Sequence, residues 1–274
     1  MTVVTNSFEG GTNGTTITAG NSGGASGNPF DSVSVGSGGT LSFSNAQAAL
    51  GTLSALAQTT TAAATYAAWG ASIGTPAQVW FRIYLYFGTL PSATTRFFTV
   101  SNGGGTGCAR FAITTAGKIL AADGAGSTIT TSTLAIPTAQ WFRVEGFATL
   151  SASVGQTEVK LFLLPENTTA DETDTSAANQ NTLGSPTLYA FGPDAGTANQ
   201  GPYYMDYVGL SSTGYLGPGF FLYQGQFPVY YLDYIDSTTN RTLSAVPGNA
   251  YAMYAVSSRA GLTVPPPDGR GLGE

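Results

Sequence analysis

Side chains able to grip a sugar recur at every second position of one stretch. In Gln78–Phe87, read Q-V-W-F-R-I-Y-L-Y-F, Trp80, Arg82, Tyr84 and Tyr86 share one parity. A second stretch, Gln140–Leu150, places Arg143 and Glu145 two apart in Q-W-F-R-V-E-G-F-A-T-L. Aromatic rings that stack on sugar faces, beside a guanidinium and a carboxylate that hydrogen-bond hydroxyls, are the usual makings of a carbohydrate site. The competing assignment is structural: a tryptophan in a strand is often core, and neighbouring Arg and Glu often pair with each other. The site therefore stands or falls on whether these six side chains share a reachable face.

Other chemistries are constrained by what the chain lacks. It contains no histidine, which excludes Ser-His-Asp and Cys-His catalysis and histidine zinc sites. The acidic cluster D-E-T-D at Asp171–Asp174 has no aromatic support. Glu145 and Asp206 each stand alone on their strands, whereas glycoside cleavage needs two carboxyls flanking one bond. The Gly-rich Asn102–Gly107, N-G-G-G-T-G, is followed by no G-K-[ST], so it is not a phosphate loop. The single cysteine, Cys108, forms no internal disulfide and reads as a small buried hydrophobe. No catalytic residue is assigned, and the chain is expected not to be an enzyme.

Charge narrows the partners. Of 274 residues only 9 % are charged, against roughly 25 % in an ordinary soluble domain, and the net charge is −6. Clustered Lys and Arg are absent, so nucleic-acid binding is not expected. The only lysines are Lys118 and Lys160, which disfavours anionic membranes. The opening M-T-V-V-T-N-S-F-E-G has neither a basic nor an apolar signal region, and no run of about 18 apolar residues exists to span a bilayer. The expectation is synthesis in the cytoplasm without export by the usual route.

The elements that must position the candidates are strands. Along Gln78–Phe87, Val79, Phe81, Ile83, Leu85 and Phe87 take the parity opposite to the aromatic and polar set, a period of two with one apolar face. Further strands are expected at Val3–Phe8, Phe30–Val35, Thr40–Phe43, Thr52–Ala57, Thr65–Trp69, Arg96–Val100, Arg110–Thr114, Lys118–Ala122, around Ile129 and Leu134–Ile136, and at Glu158–Leu164, Thr187–Phe191 and Tyr203–Leu210. Asn45–Leu50 is Ala-rich enough for one helical turn, and Glu166–Asn181 reads as a long polar loop. Repeated short strands with little helix predict an all-β sandwich over residues 1–218. Gly214–Gly219, G-Y-L-G-P-G, reads as a hinge. Beyond it a small meander is expected, with strands at Val229–Ile235, Arg241–Val246 and Tyr251–Val256, followed by an extended tail through Pro265, Pro266 and Pro267. The unit 219–274 is too small to be secure alone, so Phe227, Tyr230, Tyr231, Tyr234 and the three prolines are expected to form an assembly interface.

Four features resemble the concanavalin A-like, laminin-G-like jelly roll. They are the opening N-S-F-E-G-G at Asn6–Gly11, the V-W-F-R-I-Y-L-Y-F strand, the W-F-R-V-E strand, and the closing Y-Y-M-D-Y-V-G-L-S at Tyr203–Ser211. The resemblance implies that Glu9, after the first strand, and Asp206, in the last, can meet and bind calcium with the help of backbone carbonyls. Glycoside hydrolases of that fold carry acids clustered as E-x-D-x-x-E, a pattern missing here. The C-terminal T-L-S-A-V-P-G-N-A-Y and L-T-V-P-P-P-D-G-R resemble endings of structural proteins of tailed phages infecting actinobacteria. That resemblance implies a virion protein, a minor tail or capsid-decorating component, whose partners are other virion proteins and further copies of itself. The alternative is a carbohydrate-binding module recognising a host surface glycan.

Overall fold

The computed structural model describes residues 2–102, 106–193 and 195–219, together with the backbone of Tyr230–Tyr231 and Ser244–Ala245. The chain divides into two units, Met1–Gly219 and Phe220–Glu274. The first is built almost wholly of strands: β1 (Val3–Asn6), β2 (Ser32–Val35), β3 (Gly39–Ser44), β4 (Ser54–Thr59), β5 (Thr65–Trp69), β6 (Gln78–Tyr86), β7 (Thr95–Asn102), β8 (Gly107–Ile113), β9 (Lys118–Ala122), β10 (Thr128–Ala135), β11 (Trp141–Thr149), β12 (Gln156–Phe162), β13 (Glu172–Thr175), β14 (Pro186–Phe191) and β15 (Gln200–Ser211). One sheet runs β13-β12-β11-β6-β15-β4-β3, with β1 pairing the far end of β15; the other runs β10-β9-β8-β7-β14-β5-β2. Every pairing is antiparallel. This is the all-β sandwich that the strand pattern predicts, in the jelly-roll form that the resemblance implies.

The core lies between the two sheets and follows the period of two. Val79, Phe81, Ile83 and Leu85 of β6 are fully buried inward, as are Phe142, Val144 and Ala148 of β11. Phe81 packs on Phe98 and Phe111 of the facing sheet, with ring centroids 4.5 and 4.7 Å away. Gly146 stands opposite Phe81 in register, and a Cβ there would fall 2.8 Å from the Phe81 ring and 2.2 Å from the Glu158 carbonyl oxygen. The gap in the inward series of β11 is therefore filled by a ring from its neighbour. Cys108 is buried and unbridged, as its lone occurrence predicts.

Two local expectations change. The polar stretch Glu166–Asn181 contains β13, E-T-D-T, which pairs with β12 at the sheet edge. It has no apolar face, the character of an edge strand that discourages pairing with another chain. No helix forms at Asn45–Leu50. Its Ala49 and Leu50 N–H groups donate instead to the Asp206 carboxylate, each at 3.0 Å, which holds the segment as a loop.

In the second unit, Tyr230–Tyr231 pairs antiparallel with Ser244–Ala245. The rest of the expected meander, Phe227, Tyr234, Pro265, Pro266 and Pro267, and the side chains of Tyr230 and Tyr231 lie outside the described residues. Among the described residues no helix is long and apolar enough to cross a membrane.

Candidate functional site

Cross-strand register brings the predicted residues together on the outer face of the β6 sheet, in four rows. Trp80 stands beside Phe147 and Ser211; Arg82 beside Glu145 and Gly209; Tyr84 beside Arg143 and Asp206; Tyr86 beside Trp141 and Tyr204. β12 extends three of these rows with Glu158, Lys160 and Phe162. All six residues singled out from sequence share one face, but they do not share one environment.

The end rows are aromatic and partly exposed. Trp80 and Phe147 are half-buried, with ring centroids 6.4 Å apart. At the other end Tyr86, Trp141 and Tyr204 are all half-buried; Tyr86 lies 5.7 Å from Trp141 and 6.0 Å, edge to face, from Tyr204. Trp141 and Tyr204 are site candidates that the sequence reasoning passed over. The signal was present in Trp141, which has the parity of Arg143 and Glu145. The six residue steps from Trp80 to Tyr86 carry the two ends roughly 20 Å apart at strand rise.

The middle rows are buried. Arg82, Tyr84, Arg143 and Glu145 are no more than 4 % exposed. The Arg143 guanidinium donates to the carbonyls of Pro165 and Asn167 and lies 3.8 Å from the centroid of the Phe162 ring. Its Nε is 3.0 Å from Glu145 Oε1, an ion pair whose alignment is poor for a hydrogen bond. Burial raises the Glu145 carboxyl above its usual range, while Arg143 and Arg82 draw it back down. Arg82 donates from Nε to the Tyr207 carbonyl at 3.2 Å and sits 4.3 Å from the Tyr207 ring. A bulge in β15 makes this possible: between Asp206 and Gly209 the strand gains one residue on β6, and Tyr207 takes φ 43°. Asp206 and Tyr207 thereby reach the same face.

The cover over the middle rows is the segment Tyr215–Gly219, part of the G-Y-L-G-P-G expected to be a hinge. The Gly217 carbonyl accepts from Arg82 Nη1 at 3.0 Å, the Gly217 N–H donates to Glu145 Oε2 at 3.4 Å, and the Gly219 N–H donates to the Tyr84 hydroxyl oxygen at 2.7 Å. Leu216 projects into the space left by Gly209. Tyr215 donates its hydroxyl to Glu158, and Lys160 Nζ lies 3.7 Å from the centroid of its ring. Burial, then the Glu158 carboxylate, pushes the Tyr215 phenol up.

Glu9 and Asp206, the expected calcium pair, converge on one loop. Glu9 accepts from the Thr52 N–H and hydroxyl and from the Leu53 N–H, at 2.9 to 3.1 Å. Asp206 accepts from Ala49, Leu50 and Tyr207 N–H groups, and burial raises its carboxyl well above the usual range against those donors. These are N–H and O–H donors, which a cation would have to displace. Among the described residues no group of three His, Cys, Asp or Glu is placed to hold a metal. The donor set thus suits a hydrogen-bonded loop clamp.

No protein-family model and no curated protein sequence matches the chain. Solved structures do resemble it. The cellulose-induced protein Cip1 superposes with a TM-score of 0.51 at 16 % identity, covering 79 % of this chain and all of its own. An endo-β-1,4-glucuronan lyase from the fungus Trichoderma reesei gives 0.48 at 12 % identity, over 76 % of this chain and 94 % of its own. A Trypanosoma rangeli sialidase gives 0.39 at 12 % identity, over 64 % of this chain and 27 % of its own. At these identities the likeness establishes the jelly-roll sandwich. The expectation that the chain is not an enzyme is withdrawn: the structures similar to it include a lyase and a sialidase. The missing histidine excludes particular chemistries, not catalysis as such.

Proposed function

We propose that the chain binds carbohydrate along the outer face of the β6 sheet. The observation that carries this reading is the pair of half-buried aromatic clusters, Trp80–Phe147 and Tyr86–Trp141–Tyr204, which form the two end rows of the four. Aromatic side chains left partly open on either side of a middle closed by the protein's own chain offer flat apolar area with polar tips, which suits the C–H faces and hydroxyls of a sugar. Between them lie Arg82, Tyr84, Arg143 and Glu145, buried beneath Tyr215–Gly219 or neighbouring carbonyls. The carbohydrate-related names of the similar structures agree with this reading.

The reading as a virion component, with other virion proteins and further copies as partners, draws no support from the comparisons, and the glycan reading replaces it. The test is a glycan array followed by calorimetric titration of the glycans that bind. Trp141→Ala and Trp80→Ala are expected to weaken binding at least tenfold each while the fold is retained. Following reducing-end release and new unsaturation in the same mixtures reads whether bound glycan is turned over. Equal binding by wild type and both variants would sink this placement of the site.

A further inference from the structure

The cover over the middle rows touches the sheet in a way that describes its replacement. Residues 215–219 belong to no strand and make no ladder with β6 or β11. They meet the floor through three main-chain contacts: a carbonyl toward Arg82, an N–H toward Glu145 and an N–H toward Tyr84. The one to Glu145 is long, at 3.4 Å. Leu216, Gly217 and Pro218 remain half-buried. On either side along the sheet the aromatic rows stay partly open, so the cover interrupts what is otherwise one continuous line of candidate contacts.

We infer that Tyr215–Gly219 is an exchangeable stand-in for the ligand, and that a neutral, hydroxyl-bearing sugar chain takes its place over Arg82, Glu145 and Tyr84. This rests on the carbohydrate reading above and adds its regulation and ligand class. Arg82 can only donate, and the Glu145 carboxylate, paired with Arg143, can only accept. Whatever replaces the cover must therefore present an acceptor to one and a donor to the other within the span of a single residue. A sugar hydroxyl does both. A carboxylate does only the first and is repelled by Glu145, so a uronate chain fits the same floor less well.

Two full-length variants test this while keeping Arg82, Glu145 and Tyr84. Gly219→Ala places a Cβ 2.5 Å from the Tyr207 ring and is expected to lift the cover. Gly209→Cys with Leu216→Cys uses the approach of Leu216 Cδ2 to within 2.7 Å of where a Gly209 Cβ would stand, and its oxidation is expected to fasten the cover down. The only native cysteine, Cys108, is buried and leaves this pair undisturbed. The probes are cellohexaose, mannohexaose and an oligoglucuronate of equal length. The inference expects Gly219→Ala to bind a neutral probe at least fivefold more tightly than wild type. It expects the double-cysteine protein to bind that probe only when reduced. Unchanged affinity in Gly219→Ala together with equal binding by oxidised and reduced double-cysteine protein overturns it, as does tighter binding of the oligoglucuronate than of both neutral chains. If binding persists in those cases and Trp141→Ala abolishes it, the carbohydrate reading survives and the cover does not. If no form binds any glycan, both fall.

Discussion

The carbonyl of Gly217 lies 3.0 Å from Nη1 of Arg82, across 135 residues of chain. That contact closes the middle of a sheet face whose two ends stay partly open. It divides the candidate site into a buried polar floor and two aromatic flanks. Substitutions in the two parts should separate accordingly: those in the flanks change binding with the fold retained, whereas those in the floor also change stability.

The buried pair comes first. Arg143 and Glu145 are 1 % and 2 % exposed at 3.0 Å, and removing one leaves the other charged in a low-dielectric site without its nearest counter-charge. Arg143→Ala is expected to cost about 3–5 kcal/mol of unfolding free energy. Arg143→Met combined with Glu145→Leu should cost less than the two single losses added together, because the second change removes the charge that the first leaves without its nearest partner. Urea unfolding of the three variants checks this; strictly additive losses would show that the pair is not coupled.

A second expectation concerns pH. Burial pushes the Glu166 carboxyl from its ordinary 4.5 up to about 7, with Arg143 opposing the shift. Its Oε2 is buried and meets no hydrogen-bond donor among the described residues. The folded state therefore holds a proton that the unfolded chain has released between these two values, so stability from this group rises as pH falls from about 7 toward 4.5. Glu166→Gln should flatten that part of the stability–pH curve. A slope identical to wild type would assign it elsewhere.

The loop clamp gives a third. Glu9 and Asp206 fasten Ala49–Leu53 through five backbone N–H contacts and one hydroxyl contact. Asp206→Ala should destabilise by roughly 1–3 kcal/mol, since it strands buried N–H donors. Glu9→Ala should cost less, because its partner Thr52 is exposed to water. Amide hydrogen exchange at Leu50 and Leu53 should quicken in the two variants respectively; unchanged protection would contradict the clamp.

Packing gives a fourth. Gly146→Ala forces a methyl toward the Phe81 ring and the Glu158 carbonyl, and overpacking of this kind costs about 1–3 kcal/mol. A variant that melts with the wild type would mean that β11 can shift away from β12 freely.

Much of this was legible in the residues. The alternation of Gln78–Phe87 assigned Phe81 to the core and Trp80 to the outer face, and Thr65–Trp69 and Lys118–Ala122 fall at their predicted bounds. Local period is enough for such assignments because each strand buries one face. β13 was illegible because E-T-D-T pairs through its backbone at an edge and needs no apolar side chain. The burial of Arg82, Tyr84 and Glu145 was illegible for a different reason. Their parity correctly gives the outer face, but what covers that face arrives from Tyr215–Gly219, and no local pattern in G-Y-L-G-P-G says where it will lie. Tyr207 likewise reaches the face only through a bulge that the sequence Y-M-D-Y-V does not announce.

The most direct test of carbohydrate binding on this face uses the protein's own three tryptophans. Trp69 is fully buried in the core, whereas Trp80 and Trp141 are half-buried at opposite ends of the proposed site. Acrylamide quenching of tryptophan fluorescence, measured with and without a glycan selected on the array, reads their accessibility. The account predicts that saturating glycan protects the quenchable fraction, and that protection disappears in the Trp80→Phe, Trp141→Phe double variant, which leaves only Trp69. Glycan binding at full affinity with no change in quenching would contradict it, by placing the ligand away from the β6 sheet.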